Sequence, residues 1–276
     1  MSILNTEFMR GFIRMCDDGW QLDWHERNTG NLSYRLSPEE LFAIADELDC
    51  TGAWTSIGLD VPGLAGEFIL VTGSNKFFRN VILAPQECIC MIEINAAGDM
   101  YRICWGLTAG GRPTSELPTH LAVHEVKKQS GNQRVIYHAH PANAIALSFV
   151  LPLTDEAFTR ELWEMMAECP VVFPDGLTVV PWFVPGSIEA AVATAERMQQ
   201  CDAAVWSHHG MFCSGEGFDV TFGLMHTIEK AAEILVKVRA MGGKRHALTP
   251  DMLRKLEEPF GIELPENFLQ ELELPF

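Results

Sequence analysis

Apolar residues recur with a helical period in four parts of the chain. Near the N-terminus Phe8, Phe12 and Met15 fall on one side of a helix, which is predicted to end near Gly19. The other three predicted helices are TSELPTHLAVHEVKKQSG, SIEAAVATAERMQQ and DVTFGLMHTIEKAAEILVKVRAMGG. The last of them is the longest, and it ends at Gly242 and Gly243.

Short apolar runs between these helices are typical of strands. They are NLSYRL, EFILVTGS, the pair ECICMIEI and MYRICW with an Asn/Gly turn between them, RVIYHAH, and AAVWSHHGMF. Strands and helices are mixed along the whole length, with hairpins among them, which favours an α/β fold with helices layered on a mixed, mostly antiparallel sheet. Neither internal repeats nor a long linker interrupt the pattern, so residues 1–276 are predicted to form a single domain.

Composition and net charge limit the kinds of molecule that the protein is expected to bind. Acidic residues outnumber Lys plus Arg by 37 to 20, and a net charge of −17 disfavours nucleic acid and anionic lipid as partners. The eight cysteines lie mostly in apolar runs and are predicted to be reduced core thiols. Charged residues interrupt the N-terminal apolar patches, and later apolar runs are too short for a membrane helix, so a soluble cytoplasmic protein is expected.

Two histidines interrupt the apolar run RVIYHAH. Residues i and i+2 of a strand project from one face, so His138 and His140 can approach one metal ion together. An isolated pair of this kind has a second explanation that is about equally common: one histidine is buried in the core, and the other stands beside it by chance. His208 or His209 offers a third ligand, and the spacing does not say which. Three imidazoles suit zinc in a catalytic site, where one coordination position stays open.

The helix TSELPTHLAVHEVKKQSG, predicted to be capped by Thr114 or Ser115, carries a rival pair of histidines. His120 and His124 lie four residues apart, one turn after Glu116. Because the segment reads as an amphipathic helix with its polar residues outward, the two histidines are predicted to face solvent. His25, His226 and His246 show no spacing that indicates a role.

Three segments rich in small hydrogen-bond donors follow strands or precede a helix. Residues of this kind expose backbone N–H groups that bind an anion without formal charge. Each segment alone is equally typical of a turn or a helix cap, but together with a metal site they indicate a sugar-phosphate enzyme. Glu116 is a candidate general base, a fourth metal ligand or a partner of the helix dipole, and Glu168 and Asp175 are further acids beside apolar runs. The segments are NTGN (28–31), TGSNK (72–76) and PTSE (113–116).

Several longer motifs make the chain resemble the class II, zinc-dependent sugar-phosphate aldolases over nearly its full length. They are ERNTGNLSYRL, VTGSNKFFRN, WGLTAGGRPTSELPTH, RVIYHAHPANAIALSFV, LWEMMAECPVVFPDG and HHGMFCSGEGFDVTFGL. The resemblance implies a three-layer α/β/α fold, a homotetramer, and one zinc ion per subunit held by His138, His140 and His209. It implies that Glu116 is the catalytic acid/base and that Glu168 acts near the aldehyde part of the substrate, from its own or an adjacent subunit. The phosphate pocket that it implies consists of Asn28, Gly30, Asn31, Ser74, Thr114 and Ser115.

The activity that the resemblance implies is reversible cleavage of a ketose 1-phosphate to dihydroxyacetone phosphate and an aldehyde, by way of a zinc-stabilised enediolate. A related ketose-phosphate aldolase or a pentulose-phosphate 4-epimerase of the same family is the alternative. A purely structural metal site or a zinc hydrolase fits the ligands alone, although no His-Glu-x-x-His motif is present. Asn75 stands where the family usually has glycine, and a positive φ would suit asparagine better than most side chains.

Overall fold

The computed structural model describes residues 2–270. These residues form two compact units: the first holds the chain up to His140 with Phe183–Glu196 and Ser214–Thr221, and the second holds Pro141–Trp182, Arg197–Cys213 and the described chain from Phe222 onward. That the chain forms a single domain stays a prediction.

The strands are β1 (Asn31–Arg35), β2 (Thr55–Ser56), β3 (Phe68–Thr72), β4 (Ile89–Ile94), β5 (Met100–Gly106), β6 (Val135–Ala139), β7 (Thr178–Val180), β8 (Ala203–Trp206) and β9 (Gly210–Gly215).

Helices of very different length separate the strands. Short 3-10 helices cover Ile3–Asn5, Ala45–Glu47, Pro62–Leu64, Phe78–Asn80 and Glu266–Phe268. The α-helices are α1 (Glu7–Gln21), α2 (Pro38–Ile44), α3 (Pro85–Cys88), α4 (Leu117–Ser130), α5 (Ala142–Leu147), α6 (Asp155–Trp163), α7 (Glu168–Val172), α8 (Ile188–Arg197), α9 (Phe218–Ala240), α10 (Pro250–Arg254) and α11 (Glu257–Phe260).

Antiparallel pairing dominates the sheet of the first unit. Its strands run in the order β2-β5-β4-β3-β1-β6, and every adjacent pair is antiparallel. In the second unit β7 pairs with β8 in parallel and β8 pairs with β9 antiparallel. The prediction of an α/β fold with a mixed, mostly antiparallel sheet and flanking helices is therefore confirmed.

Helix α4 is anchored to the sheet of the first unit by its apolar residues. Leu117 and Leu121 belong to a buried cluster with Val71 of β3 and Cys90 and Ile92 of β4. Burial of a leucine side chain contributes about 1.5–3 kcal/mol, so two leucines hold the start of this helix firmly. This packing fixes Glu116, the residue that precedes the helix.

Most of the helices and strands predicted from the sequence are present in the structure. Helix α1 illustrates the physical reason, which is burial of its apolar face and a capped N-terminus. Phe8, Phe12 and Met15 are all buried, and the Thr6 hydroxyl accepts a hydrogen bond from the Met9 N–H at 3.3 Å as the N-cap. The prediction for the start of α4 is wrong, because the N-cap position is Glu116 rather than Thr114 or Ser115.

AAVWSHHGMF, predicted as one strand, is a hairpin of β8 and β9. His208 takes a left-handed φ of +62°, and the His209 N–H donates to the Trp206 carbonyl at 3.0 Å, so the chain reverses between the two strands. Histidine tolerates this backbone region better than a β-branched residue does. The turn therefore uses a residue whose identity gives no strong turn signal.

Cys50 and Cys104 form a disulfide, so the prediction that all eight cysteines are free is wrong for this pair. The Asp49 N–H donates to the Cys104 carbonyl at 2.8 Å, which pins the loop after the second 3-10 helix to β5 and leaves the two Cα atoms 4.4 Å apart. This distance falls within the range that a disulfide spans. A separation of 54 residues gave no sequence signal for the pairing.

Protein purified and unfolded without reductant is expected to expose six reactive thiols, and eight after reduction. Thiol titration in denaturant measures both numbers. In Cys50→Ser protein, the reductant should release no additional thiols. Eight thiols without reductant would show that Cys50 and Cys104 are not bonded.

Among residues 2–270, every helix is either too short or too polar to span a lipid bilayer.

Candidate functional site

The three small-donor segments meet at one end of the first unit's sheet. Asn31 begins β1 opposite His138 of β6, and Thr72 ends the antiparallel neighbour β3. Beyond β3, Gly73 forms an isolated bridge with Pro113, and the Thr114 N–H donates to the Thr72 carbonyl at 2.9 Å. The sheet register thus brings the segments 28–31, 72–76 and 113–116 together, as the predicted anion pocket requires.

The predicted phosphate-pocket residues differ in exposure. Asn31 and Thr114 are buried, Asn28, Gly30 and Ser74 are half-buried, and Ser115 is exposed. The Ser74 N–H donates to the Arg112 carbonyl at 2.9 Å, which fixes the turn after β3. Asn75 in the same turn is exposed and has a φ of +60°, a conformation that asparagine tolerates better than most residues.

Glu116 is a buried carboxyl group at this end of the sheet. Only 5% of it is exposed, and its Oε2 atom accepts a hydrogen bond from Asn31 Nδ2 at 2.8 Å. The same oxygen lies 3.5 Å from His138 Nε2. Burial raises the pKa of Glu116 to about 7, and the Asn31 hydrogen bond opposes this rise. A carboxyl group with such a pKa exchanges protons readily near neutral pH.

His138 and His140 place their rings side by side at the end of β6. The ring centroids are 5.1 Å apart. Although the strand ends at Ala139, the His140 N–H donates to the Trp24 carbonyl at 3.0 Å, which holds the backbone beyond the strand. His140 Nδ1 lies 2.8 Å from Glu26 Oε1. When Nδ1–H donates to this carboxylate, Nε2 carries the lone pair, as in histidines that ligate a metal ion.

In the second unit, the two histidines of the turn between β8 and β9 make different contacts. His208 donates its backbone N–H to Ser148 Oγ at 3.0 Å, its Nδ1 atom lies 3.0 Å from the same oxygen, and its ring packs on Phe149. His209 is half-buried and packs against the ring of Trp206. His208 is therefore engaged in holding the turn to α5.

Of the other two acids singled out from the sequence, Glu168 is exposed in the first turn of α7, and Asp175 lies in the turn before β7. Both belong to the second unit. A role for Glu168 in catalysis stays a prediction.

His25, for which the sequence indicated no role, shapes the segment 28–31. It is fully buried, with Nε2 2.7 Å from the Tyr137 hydroxyl and Nδ1 3.2 Å from the Thr29 carbonyl. Nδ1–H donates to the carbonyl, so Nε2 accepts from Tyr137. Burial lowers the pKa of His25 to about 3, which keeps the ring neutral. Gly30 adopts a φ of +74°, and a Cβ atom there would lie 2.2 Å from His25 Nδ1.

Replacing Gly30 by alanine is expected to distort this segment and to raise KM for a phosphorylated substrate. Gly66 has the same φ of +74°, but a Cβ atom there would have no neighbour within 4 Å among the described residues, so Gly66→Ala measures the backbone cost alone. That cost is on the order of 1 kcal/mol. Thermal unfolding and KM of both variants check the prediction, and an equal effect of the two would contradict a specific role for His25 beside Gly30.

Solvent-facing positions were predicted for His120 and His124, and this prediction is wrong. Both side chains are fully buried, and both contact Ser33 Oγ, at 2.6 Å for His120 Nδ1 and 2.8 Å for His124 Nε2. A signal was present in the sequence, because positions 117, 120, 121 and 124 form one stripe at helical spacing and two of them are leucine. The histidines occupy the buried face of α4.

Comparison with known proteins places this arrangement in a family. The family described as Class II Aldolase and Adducin N-terminal domain matches residues 10–236. The rhamnulose-1-phosphate aldolase of Mannheimia succiniciproducens is 46% identical over 263 residues, which cover 95% of this chain and 97% of the relative. The enzyme of the same name from Pectobacterium carotovorum is 44% identical, with 95% and 96% covered.

A solved structure supports the same assignment. The sugar-phosphate aldolase from Thermotoga maritima superposes with a TM-score of 0.74 at 28% identity, covering 86% of this chain and 97% of that one. Together with the matched residues and the full-length relatives, this likeness settles the family. The chain belongs to the class II aldolase family.

Proposed function

We propose that the protein is a zinc-dependent aldolase that reversibly cleaves L-rhamnulose 1-phosphate to dihydroxyacetone phosphate and L-lactaldehyde. The observation that carries the proposal is the buried Glu116 carboxyl group, 2.8 Å from Asn31 Nδ2 and 3.5 Å from His138 Nε2, at the end of the sheet where the small-donor segments meet. The names of the relatives at 46% and 44% identity support the choice of substrate.

In this proposal His138, His140 and His209 bind one zinc ion per subunit. The contact of Glu26 with His140 Nδ1 fits this role, since it leaves Nε2 as the coordinating atom. The engagement of His208 with Ser148 supports His209 as the third ligand. Zinc bound there supplies a Lewis acid for the negative charge that develops on the ketose oxygens when the carbon–carbon bond breaks.

The substrate phosphate binds in this proposal to Asn28, Gly30, Asn31, Ser74, Thr114 and Ser115. Backbone N–H groups and hydroxyls in these segments bind an anion without adding positive charge, which suits a chain of net charge −17. The His25 ring lies directly beside Gly30, and its Nδ1 atom contacts the Thr29 carbonyl. These contacts fix the backbone conformation of the segment 28–31.

Glu116 is the proposed acid/base. As the C3–C4 bond of the ketose breaks, the C4 hydroxyl loses its proton to water and becomes the aldehyde, and the electron pair of the bond stays with C3 as an enediolate. Glu116 in its protonated form then gives its proton to C3, and the product is dihydroxyacetone phosphate. In the reverse direction the carboxylate removes the same proton. Burial, which raises the pKa of Glu116, favours the protonated form that the cleavage direction needs. Glu168 is proposed to act near the aldehyde part, from its own or a neighbouring subunit of a homotetramer. The cytoplasm is the proposed compartment.

The test is product analysis on zinc-loaded protein with three substrates: L-rhamnulose 1-phosphate, L-fuculose 1-phosphate and L-ribulose 5-phosphate. Reduction of dihydroxyacetone phosphate, coupled to NADH, measures cleavage, and NMR detects an epimerised pentulose phosphate. The proposal expects cleavage of L-rhamnulose 1-phosphate with the highest kcat/KM. A folded, zinc-loaded protein that prefers L-fuculose 1-phosphate or only epimerises the pentulose would overturn the substrate assignment.

A further inference from the structure

A chain of buried hydrogen bonds runs from Glu116 into the core behind it. Asn31 Nδ2 donates to Glu116 Oε2 at 2.8 Å, and Asn31 Oδ1 contacts His120 Nε2. His120 Nδ1 lies 2.6 Å from Ser33 Oγ, which lies 2.8 Å from His124 Nε2. Every member is at most 5% exposed. The chain joins three elements of the first unit: β1 supplies Asn31 and Ser33, α4 supplies both histidines, and Glu116 precedes α4.

The chemistry of the atoms gives this chain one direction. An amide oxygen only accepts hydrogen bonds, so His120 Nε2 carries the hydrogen that reaches Asn31 Oδ1. His120 Nδ1 then accepts from the Ser33 hydroxyl, and Ser33 Oγ accepts in turn from His124 Nε2–H. Burial lowers the pKa of both histidines, that of His120 to about 3, so each ring is neutral and carries one hydrogen. The direction of the chain places that hydrogen on Nε2 in both rings.

His120 therefore decides which way the Asn31 amide points. With Nε2–H of His120 facing Oδ1, the amide N–H₂ must face Glu116. With the other tautomer, Nε2 would need a donor, and Asn31 would turn its oxygen toward the carboxylate, where two acceptors repel. Asn31 also lies in the proposed phosphate segment, so its orientation affects two parts of the site.

We infer that His120 is a positioning residue for the reaction: through Asn31, it holds the Glu116 carboxyl group in place for proton transfer, while Ser33 and His124 fix the His120 tautomer. This inference rests on the proposed role of Glu116. His120 itself is fully buried and contacts Asn31 and Ser33.

The tautomer can be measured without any substrate. In protein labelled with ¹⁵N-histidine and loaded with zinc, we expect His120 to show a protonated Nε2 and a bare Nδ1; loss of the signal in His120→Gln identifies it. A protonated Nδ1 on His120 would reverse the chain and overturn the inference. Because no turnover is needed, failure of the aldolase assignment leaves this measurement intact.

A matched pair of variants tests the consequence for turnover. Glutamine approximates the Nε2 side of histidine and keeps a donor for Asn31, whereas asparagine approximates only the Nδ1 side. For zinc-loaded protein acting on the substrate that it turns over, we expect His120→Asn to lower kcat by about 10- to 100-fold, the range typical of residues that orient a functional group, with KM changed much less. His120→Gln should stay within a few-fold of wild type.

A purely structural role makes a different prediction. It would lower the thermal midpoint of both variants and leave kcat per folded, zinc-loaded subunit unchanged. This result would overturn the inference. Equal losses of kcat in the two variants would overturn it as well. If His120→Asn does not fold, Ser33→Ala takes its place. Removal of the hydroxyl that fixes the tautomer should then lower kcat, and an unchanged kcat would count against the inference.

Discussion

Replacement of Glu116 by glutamine is expected to lower kcat for aldol cleavage by about 10²–10⁴-fold, the usual contribution of a positioned acid/base. The amide oxygen of glutamine still accepts the hydrogen bond from Asn31 Nδ2, so the fold and the neighbouring His138 should keep their arrangement. Steady-state kinetics on protein of confirmed zinc content measures the effect.

One control variant separates catalysis from other effects of the lost charge. Glu189 lies in the first turn of α8 and is exposed, so Glu189→Gln reports what a first-turn glutamate contributes through the helix dipole alone. Its kcat should equal that of wild type. A kcat for Glu116→Gln within tenfold of wild type, at full zinc content, would remove Glu116 from the role of acid/base.

Replacement of His209 by asparagine is expected to remove most of the bound zinc and with it the activity. Lewis-acid stabilisation is worth several kcal/mol, and 1.36 kcal/mol is a factor of ten, so kcat should fall by more than about 10²-fold. His208→Asn is the matched control, because asparagine tolerates the φ of +62° at that position. Metal analysis of the two purified variants distinguishes them. Zinc loss in His208→Asn, with zinc retained in His209→Asn, would reverse the assignment of the third ligand.

The sequence predicted the elements and the meeting of the small-donor segments because both depend on local pattern and sheet register. Short apolar runs placed β1, β3 and β6, and once these strands pair, Asn31, Thr72 and His138 must share one end of the sheet. The resemblance then supplied roles for individual residues that spacing alone left open, such as the choice between His208 and His209. Those roles stay predictions.

What the sequence did not predict depends on tertiary contacts. His25 and His120 are polar residues in buried positions, and their burial is tolerated only because Tyr137, Ser33 and Asn31 supply hydrogen-bond partners from other parts of the chain. A single sequence does not reveal such partners. The apolar stripe on α4 could have identified His120 as buried, but it could not have identified Asn31 as the partner of its Nε2 atom.

The pairing of Cys50 with Cys104 and the β8–β9 hairpin were missed for the same kind of reason. The disulfide joins residues 54 positions apart, beside a backbone hydrogen bond from Asp49 to Cys104, and the turn contains a left-handed histidine that carries no general turn signal. Both are set by the neighbouring strands rather than by local propensity.

We propose that this chain cleaves L-rhamnulose 1-phosphate with the help of a bound zinc ion. The most direct measurement is release of dihydroxyacetone phosphate from that substrate by the protein as purified, after removal of metal by a chelator, and after zinc is restored. The proposal expects activity to disappear on chelation and to return with zinc, while the protein stays folded throughout. A rate unchanged by complete metal removal, or no cleavage by the folded, zinc-loaded protein, would contradict it.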